Sequence, residues 1–216
     1  MRDYVYYFFD FDGTLVDTSE GVIESFAYAL GKFGLKIEDT VPIRNYMGPP
    51  LSYSFSVYAH LSEEDTRKAI DYYREKYNSK GQNLCFIPDG MEELLAGLKK
   101  QGKVLAVATS KLESSAIKML EKFGLLKYFD TVSGSDPEET VCTKTAVIEQ
   151  AFIRLGVTDK SKVLMIGDRK YDVAGAKEAG IDCLGFYSGT ADEGELESAG
   201  AVAVVHSAKE MMELLL

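Results

Sequence analysis

The sequence predicts an α/β fold in which a parallel, doubly wound sheet is flanked by helices and interrupted by an all-helical insert. Three observations predict it. Short apolar runs alternate with amphipathic helical stretches; glycines close those stretches; and one long segment near the start carries helical patterns but no convincing strand.

The apolar runs that read as strands are residues 4–9, 104–108, 131–133, 163–166, 183–186 and 201–205. Helical patterns lie between most of them, at 91–101, 113–123, 145–155 and 171–179. Gly102, Gly124, Gly156 and Gly180 each fall just past a helical pattern, where a left-handed residue ends a helix. The tail, residues 210–216, reads as an amphipathic terminal helix whose apolar side docks on the core. The segment that breaks the alternation has helical patterns at 20–33, 51–59 and 63–77, the last opened by Ser62 as N-cap. The expected organisation is therefore a core of residues 1–16 and 87–216, with a helical cap domain at 17–86 inserted after the first strand.

Composition narrows the function. With 216 residues, 46% apolar and 27% charged, the chain is an ordinary globular protein, long enough for one large domain or a core plus a smaller insert. A net charge of −10 with no Lys/Arg run argues against nucleic acid or an anionic membrane as partner. The same acidity means that a phosphate-bearing ligand needs local positive charge, from a metal and one or two lysines. Cys85, Cys142 and Cys183 are odd in number and lack metal-ligand spacing, which suits idle thiols in a reducing compartment. Asp3 and the short apolar run after it do not resemble a signal peptide, and no segment approaches the ~20 apolar residues of a membrane span. The expected location is the cytoplasm.

In a parallel α/β sheet, ligands bind beyond the carboxyl ends of the strands, near the point where strand order reverses. Polar residues cluster just there: Asp10 and Asp12 after the first run, Thr109, Ser110 and Lys111 after the second, Gly167 and Asp168 after the fourth.

The stretch Phe8-Phe9-Asp10-Phe11-Asp12-Gly13-Thr14-Leu15 carries most of the chemistry. Two carboxylates one residue apart at a strand end repel each other unless something uses both. Asp10, ionised without an activating base, can attack phosphorus. Asp12 can face the same site, first as an acid toward the leaving oxygen, then as a base toward water. Gly13 lets backbone N–H groups approach a phosphate oxygen, and Thr14 fixes the turn. Thr109 and Ser110, between a strand end and a helix, suit phosphoryl oxygens, Thr109 by its hydroxyl and Ser110 mainly by its backbone. Lys144 opens a helix, where the dipole disfavours a cation; its reading is a charge that neutralises both the nucleophile and the phosphoryl group. Asp168 completes a hard oxygen site for Mg²⁺ together with Asp10 and the Asp12 backbone carbonyl. Asp172, at i+4, shares a helical face with Asp168 and orients the site from behind the ligands.

Together these residues resemble the haloacid dehalogenase superfamily, in its phosphatase branch with a helical cap after the first motif. The resemblance covers nearly the whole chain, with four motifs in order, and is strongest at Asp10-Phe11-Asp12-Gly13-Thr14 and Gly167-Asp168-Arg169-Lys170-Tyr171-Asp172. It implies a Rossmann-like core, Mg²⁺ as cofactor, Asp10 as nucleophile, Asp12 as acid/base, and roles for Thr109 and Lys144. Within the superfamily the chain is similar to phosphoglycolate-phosphatase-like and 5′-nucleotidase-like proteins. Their cap segment Gly-Pro-Pro-Leu matches residues 48–51, making Gly48 and Pro49 candidate substrate contacts. Many relatives follow the motif lysine with proline, whereas Thr145 follows Lys144; Lys111 is the alternative lysine. Asp12 separates the chain from true dehalogenases, which do not need to protonate an alkoxide. The expected activity is a Mg²⁺-dependent phosphomonoester hydrolase acting on a small phosphorylated metabolite. Alternatives are a 5′-nucleotidase, a phosphomutase using the same residues, and a non-catalytic binding protein on this fold.

Overall fold

A computed structural model describes residues 3–216. The chain divides into two compact units, Met1–Val16 with Ile87–Leu216, and Asp17–Phe86. The first carries six strands: β1 (Tyr6–Phe9), β2 (Val104–Leu112), β3 (Thr131–Ser135), β4 (Val163–Gly167), β5 (Asp182–Phe186) and β6 (Ala203–Val205). Helices α1 (Ser19–Gly31), α2 (Leu51–Tyr53) and α3 (Glu63–Ser79) belong to the second unit. Helices α4 (Met91–Lys100), α5 (Glu113–Lys122), α6 (Lys144–Leu155), α7 (Lys170–Ala179), α8 (Glu195–Ala199) and α9 (Ala208–Leu215) belong to the first.

All strands pair in parallel, in the order β3-β2-β1-β4-β5-β6. The chain starts in mid-sheet, runs outward through β2 and β3, then crosses back to β4 and continues to β6. Strand order therefore reverses beside β1, and the crevice at the carboxyl ends of β1 and β4 is where a ligand fits. Register puts the key ends level: Phe9 lies opposite both Val107 and Ile166, and the Asp10 N–H donates to the Ile166 carbonyl at 2.9 Å.

The strands are apolar runs rather than alternating patterns because both sheet faces are covered. All five residues of β4 are buried. Phe8, Ala106 and Met165 share one core with Val147 and Ile148 of α6 and Val173 of α7. Tyr7, Phe9, Leu105 and Val107 alternate with them along the strands and are buried too. The four glycines expected to end helices all have positive φ. At the C-terminus, Met211 of α9 is fully buried, and Gly97 of α4 leaves room for Leu216, whose Cδ1 would lie 2.6 Å from a Cβ there.

Two elements differ from expectation. The second strand continues to Leu112 instead of stopping at Ala108. Its pairing with β3 shifts register between Ala108 and Leu112, and Leu112 then pairs with Ser135. Gly134 permits this, since a Cβ there would lie 2.6 Å from the Glu113 Cα. Thr109 and Ser110 consequently sit in extended backbone, and α5 begins only at Glu113, so no helix N-terminus opens at Ser110. The helix expected at 51–59 is a short α-turn that widens into a π-helix, Ser54–Tyr58.

The second unit packs α1 and α3 around Phe26, whose ring lies 4.8, 5.2 and 4.7 Å from those of Tyr46, Phe55 and Tyr73. Large aromatics supply much buried area in a small unit. The Ser62 side chain accepts from the Asp65 N–H, so it caps α3. Gly48, at φ +107°, and the buried Pro49 lie in the loop before α2. Among the described residues, no helix is long and apolar enough to cross a membrane.

Candidate active site

Three strand ends and one helix start build the site. Asp10 follows β1, Thr109 lies on the extended end of β2, Asp168 follows β4, and Lys144 is the first residue of α6. The buried stripe of α6 is Lys144, Val147, Ile148, Ala151 and Phe152. Lys144 thus occupies the first position of an apolar stripe, and helical periodicity turns its ammonium inward.

The ammonium of Lys144 has three protons and three partners. Its Nζ lies 2.7 Å from Asp10 Oδ1 and 2.8 Å from Asp172 Oδ1, and donates to the Ala108 carbonyl at 3.1 Å. Beyond that ion pair, neither carboxylate oxygen has a hydrogen-bond donor among the described residues. Burial alone would lower the Lys144 pKa, but Asp10 and Asp172 outweigh it and hold the ammonium above its ordinary value. The Asp10 carboxyl is pushed up to about 6, chiefly by burial and further by Asp172 and Asp12, against the pull of Lys144. Asp168 is raised well above the usual carboxylate range, again by burial first and then by Asp172 and Asp10.

Asp10, Asp168 and Asp172 offer carboxylate oxygens within 4.8 Å of one another. Hard oxygen donors so gathered suit a small divalent cation. The raised carboxyl groups show why a dication fits: one lysine among three buried carboxylates leaves negative charge uncompensated.

Asp12 stands apart from this cluster. It is partly exposed and pairs with Lys111, whose Nζ lies 3.0 and 3.3 Å from its two oxygens. The two candidate lysines therefore divide between the two aspartates, Lys144 on Asp10 and Lys111 on Asp12. Thr109 is buried, and its hydroxyl accepts from the Lys111 N–H at 3.2 Å; Ser110 is partly exposed beside it.

Two expected roles change. The Gly13 N–H donates to the Val16 carbonyl at 2.8 Å, so any backbone N–H that Gly13 lets approach a phosphate oxygen is a neighbour's and not its own. Glycine is required there for another reason: φ is +81°, and a Cβ would lie 2.1 Å from Asp168 Oδ2. Similarly, Asp168 and Asp172 do not share a helical face, because Asp168 precedes the helix and Arg169 is its N-cap. Asp172 instead splits its carboxylate: Oδ2 accepts from the Arg169 N–H at 3.0 Å while Oδ1 meets Lys144. Glycines also seat the other partners. A Cβ on Gly167 would lie 2.2 Å from Asp172 Cγ, and one on Gly175 would lie 2.6 Å from Lys144 Cβ.

The structure gives Thr14 a partner beyond its turn and adds Thr190 and Glu195, which sequence reasoning missed. Thr14 donates to Asp168 Oδ1 at 3.2 Å, and Thr190, in the loop after β5, donates to Asp168 Oδ2. Arg169 is buried against Glu195. Asp10 and Asp168 directly follow their strands, whereas Thr190 lies further along the loop after Phe186, so strand-end position did not mark it. Gly48 and Pro49 belong to the second unit.

A family model for haloacid dehalogenase-like hydrolases matches residues 7–186. The 5′-nucleotidase of Pseudomonas aeruginosa is 33% identical over 202 residues, covering 92% of this chain and 91% of that protein. Tyrosine-protein kinase PtkA of Mycobacterium tuberculosis is also 33% identical over 202 residues, covering 93% of this chain and 68% of that one. Among solved structures, a predicted phosphatase from Clostridium acetobutylicum superposes with a TM-score of 0.93 at 38% identity, covering 99% of each chain. The chain belongs to the haloacid dehalogenase-like hydrolase family, as an enzyme of its phosphatase, phosphoric monoester hydrolase, type.

Proposed function

We propose that this protein is a Mg²⁺-dependent phosphomonoester hydrolase that frees phosphate from a small phosphorylated metabolite by way of an aspartyl-phosphate on Asp10. The observation that carries the reading is the buried group of Asp10, Asp168 and Asp172, with Asp10 and Asp172 held by the Lys144 ammonium and Asp12 held by Lys111. Magnesium is the usual metal of the family; Asp10, Asp168 and the Asp12 backbone carbonyl would hold it, and when bound it supplies charge stabilisation at the phosphoryl oxygens. Asp172, with one oxygen capping α7 and the other on Lys144, braces the set rather than ligating.

An oxygen of Asp10 attacks phosphorus and the ester P–O bond breaks. Asp12 delivers its proton to the departing alkoxide. Asp12, now a carboxylate, takes a proton from water as that water attacks the phosphorus of the aspartyl-phosphate. The P–O bond to Asp10 then breaks, inorganic phosphate leaves, and both aspartates return to their starting forms. Lys144 keeps Asp10 oriented and offsets charge at the phosphoryl group throughout. Thr109 and Ser110 line the phosphoryl position, and Gly48 and Pro49 are the candidate substrate contacts from the cap.

Nucleoside 5′-monophosphates head the list of substrates, in keeping with the 33% identity to a 5′-nucleotidase over most of both chains. Phosphoglycolate follows. The likeness to PtkA adds one acceptor to weigh against water, a tyrosine side chain. The net charge of −10 opposes nucleic acid and anionic membranes as partners, and the cytoplasm is the location that goes with this reading.

The test is phosphate release from a panel of phosphorylated metabolites, with Mg²⁺ and with EDTA, for the native chain and Asp10→Asn. Turnover that needs both Mg²⁺ and Asp10 is expected. Full activity of Asp10→Asn would overturn the mechanism, and transfer to an acceptor without phosphate release would replace hydrolase by transferase or mutase.

A further inference from the structure

Both oxygens of Asp168 are engaged by threonine hydroxyls from distant parts of the chain, Oδ1 by Thr14 at 3.2 Å and Oδ2 by Thr190. Ser188 lies 3.1 Å from the Thr190 hydroxyl, within reach to donate to it and so fix its direction. Five residues beyond Thr190, Glu195 takes three donors from the residues that follow Asp168. Its Oε1 accepts from Arg169 Nε and from the Lys170 N–H, both at 2.9 Å, and its Oε2 accepts from Arg169 Nη2 at 3.3 Å. Arg169 is 2% exposed, and the Glu195 side chain 7%. Residues 168, 169 and 170 are thus each tied to the segment that follows β5.

We propose that this segment, through Thr190 and Glu195, positions the metal-binding carboxylate: Thr190 sets the rotation of Asp168, and Glu195 holds the turn on which Asp168 is carried. The proposal rests on the reading of Asp168 as a metal ligand. A carboxylate oxygen that accepts one hydroxyl proton keeps a lone pair for a cation. The two hydroxyls, with Gly13 pressed against the carboxylate, leave that lone pair a fixed direction. Arg169, buried with Glu195, keeps its charge beside Asp168.

The experiment is calorimetric titration of Mg²⁺ into metal-free protein, alongside activity as a function of Mg²⁺, for the native chain, Thr190→Val, Thr190→Ser, Glu195→Gln and Asp168→Asn. Thr190→Val keeps the shape and loses the hydroxyl; partners behind metal ligands are typically worth about 10- to 100-fold in affinity, so a loss of about tenfold or more is expected. Thr190→Ser restores the hydroxyl and stays within about threefold of the native affinity, and Glu195→Gln weakens binding in the same direction as Thr190→Val. In activity, the change falls on the Mg²⁺ requirement rather than on kcat at saturating metal. Native-like Mg²⁺ affinity in Thr190→Val, with binding lost in Asp168→Asn, overturns the proposal and leaves the metal site standing. Native affinity in Asp168→Asn overturns the metal reading itself. Should Thr190→Val fail to fold, Glu195→Gln decides: unchanged Mg²⁺ affinity there overturns the clamp.

Discussion

Replacing Lys144 with methionine keeps a long apolar stem and removes the charge. The Lys144 side chain is 5% exposed, and among the described residues its ammonium is the one donor to Asp10 Oδ1 and Asp172 Oδ1, besides satisfying the Ala108 carbonyl. Breaking a buried ion pair by removing one partner costs about 3–5 kcal/mol, since the remaining charge is stranded. For a chain of 216 residues, that lowers Tm by roughly 6–20 °C. The stranded carboxylates can relieve the cost by taking up a proton, so the loss depends on pH. Asp10 already sits at about 6 with Lys144 present, because burial dominates, and it must rise further without the cation. In the unfolded chain an aspartate titrates near 3.9. Between roughly pH 4 and the folded value, the folded variant therefore binds more protons than the unfolded one, and its stability falls as pH rises. The loss is smallest near pH 5 and largest near pH 8. Urea and thermal unfolding in EDTA at pH 5, 6.5 and 8 measures it for both chains. A loss below about 1 kcal/mol at pH 8, or one equal at pH 5 and pH 8, refutes the reasoning.

Gly13→Ala places a Cβ 2.1 Å from Asp168 Oδ2 at a φ of +81°. It is expected to cost about 1–2 kcal/mol from the left-handed backbone alone and to weaken Mg²⁺ binding by displacing Asp168, as read by unfolding and calorimetry; native affinity refutes the steric account. Mg²⁺ at a hundred times its Kd should raise stability by about 2.7 kcal/mol. That gain should shrink at pH 5, where protons on Asp10 and Asp168, both raised by burial, compete with the metal. Thermal shifts equal at pH 5 and pH 8 would count against these carboxylates as the ligands.

Much of the fold was legible because its signals are local. Six apolar runs, four glycine stops and a strandless segment define the core and the insert from periodicity and turn chemistry alone. The limits of that reading appear at β2. Its apolar run ends at Ala108, but pairing of Leu112 with Ser135 keeps the backbone extended for four more residues. That contact belongs to another strand and leaves no mark in the local pattern. Asp10, Asp12 and Asp168 were legible because two carboxylates in sequence, or a Gly-Asp after a buried strand, conflict with ordinary packing. Thr190 and Glu195 were not, since a threonine in a loop and a glutamate opening a short helix conflict with nothing.

By itself, then, the sequence determined the α/β class, the helical insert, the phosphatase chemistry and the acidic residues at the strand ends. Tertiary structure decided which cation serves which aspartate: Lys144 on Asp10, and Lys111 on Asp12 across a separation of 99 residues. It also decided that Gly13 makes space for the Asp168 carboxylate. Periodicity and turn residues act over one or two turns of chain. An ion pair between distant residues exists only once strand order and register have brought the ends of β1, β2 and β4 to the same edge.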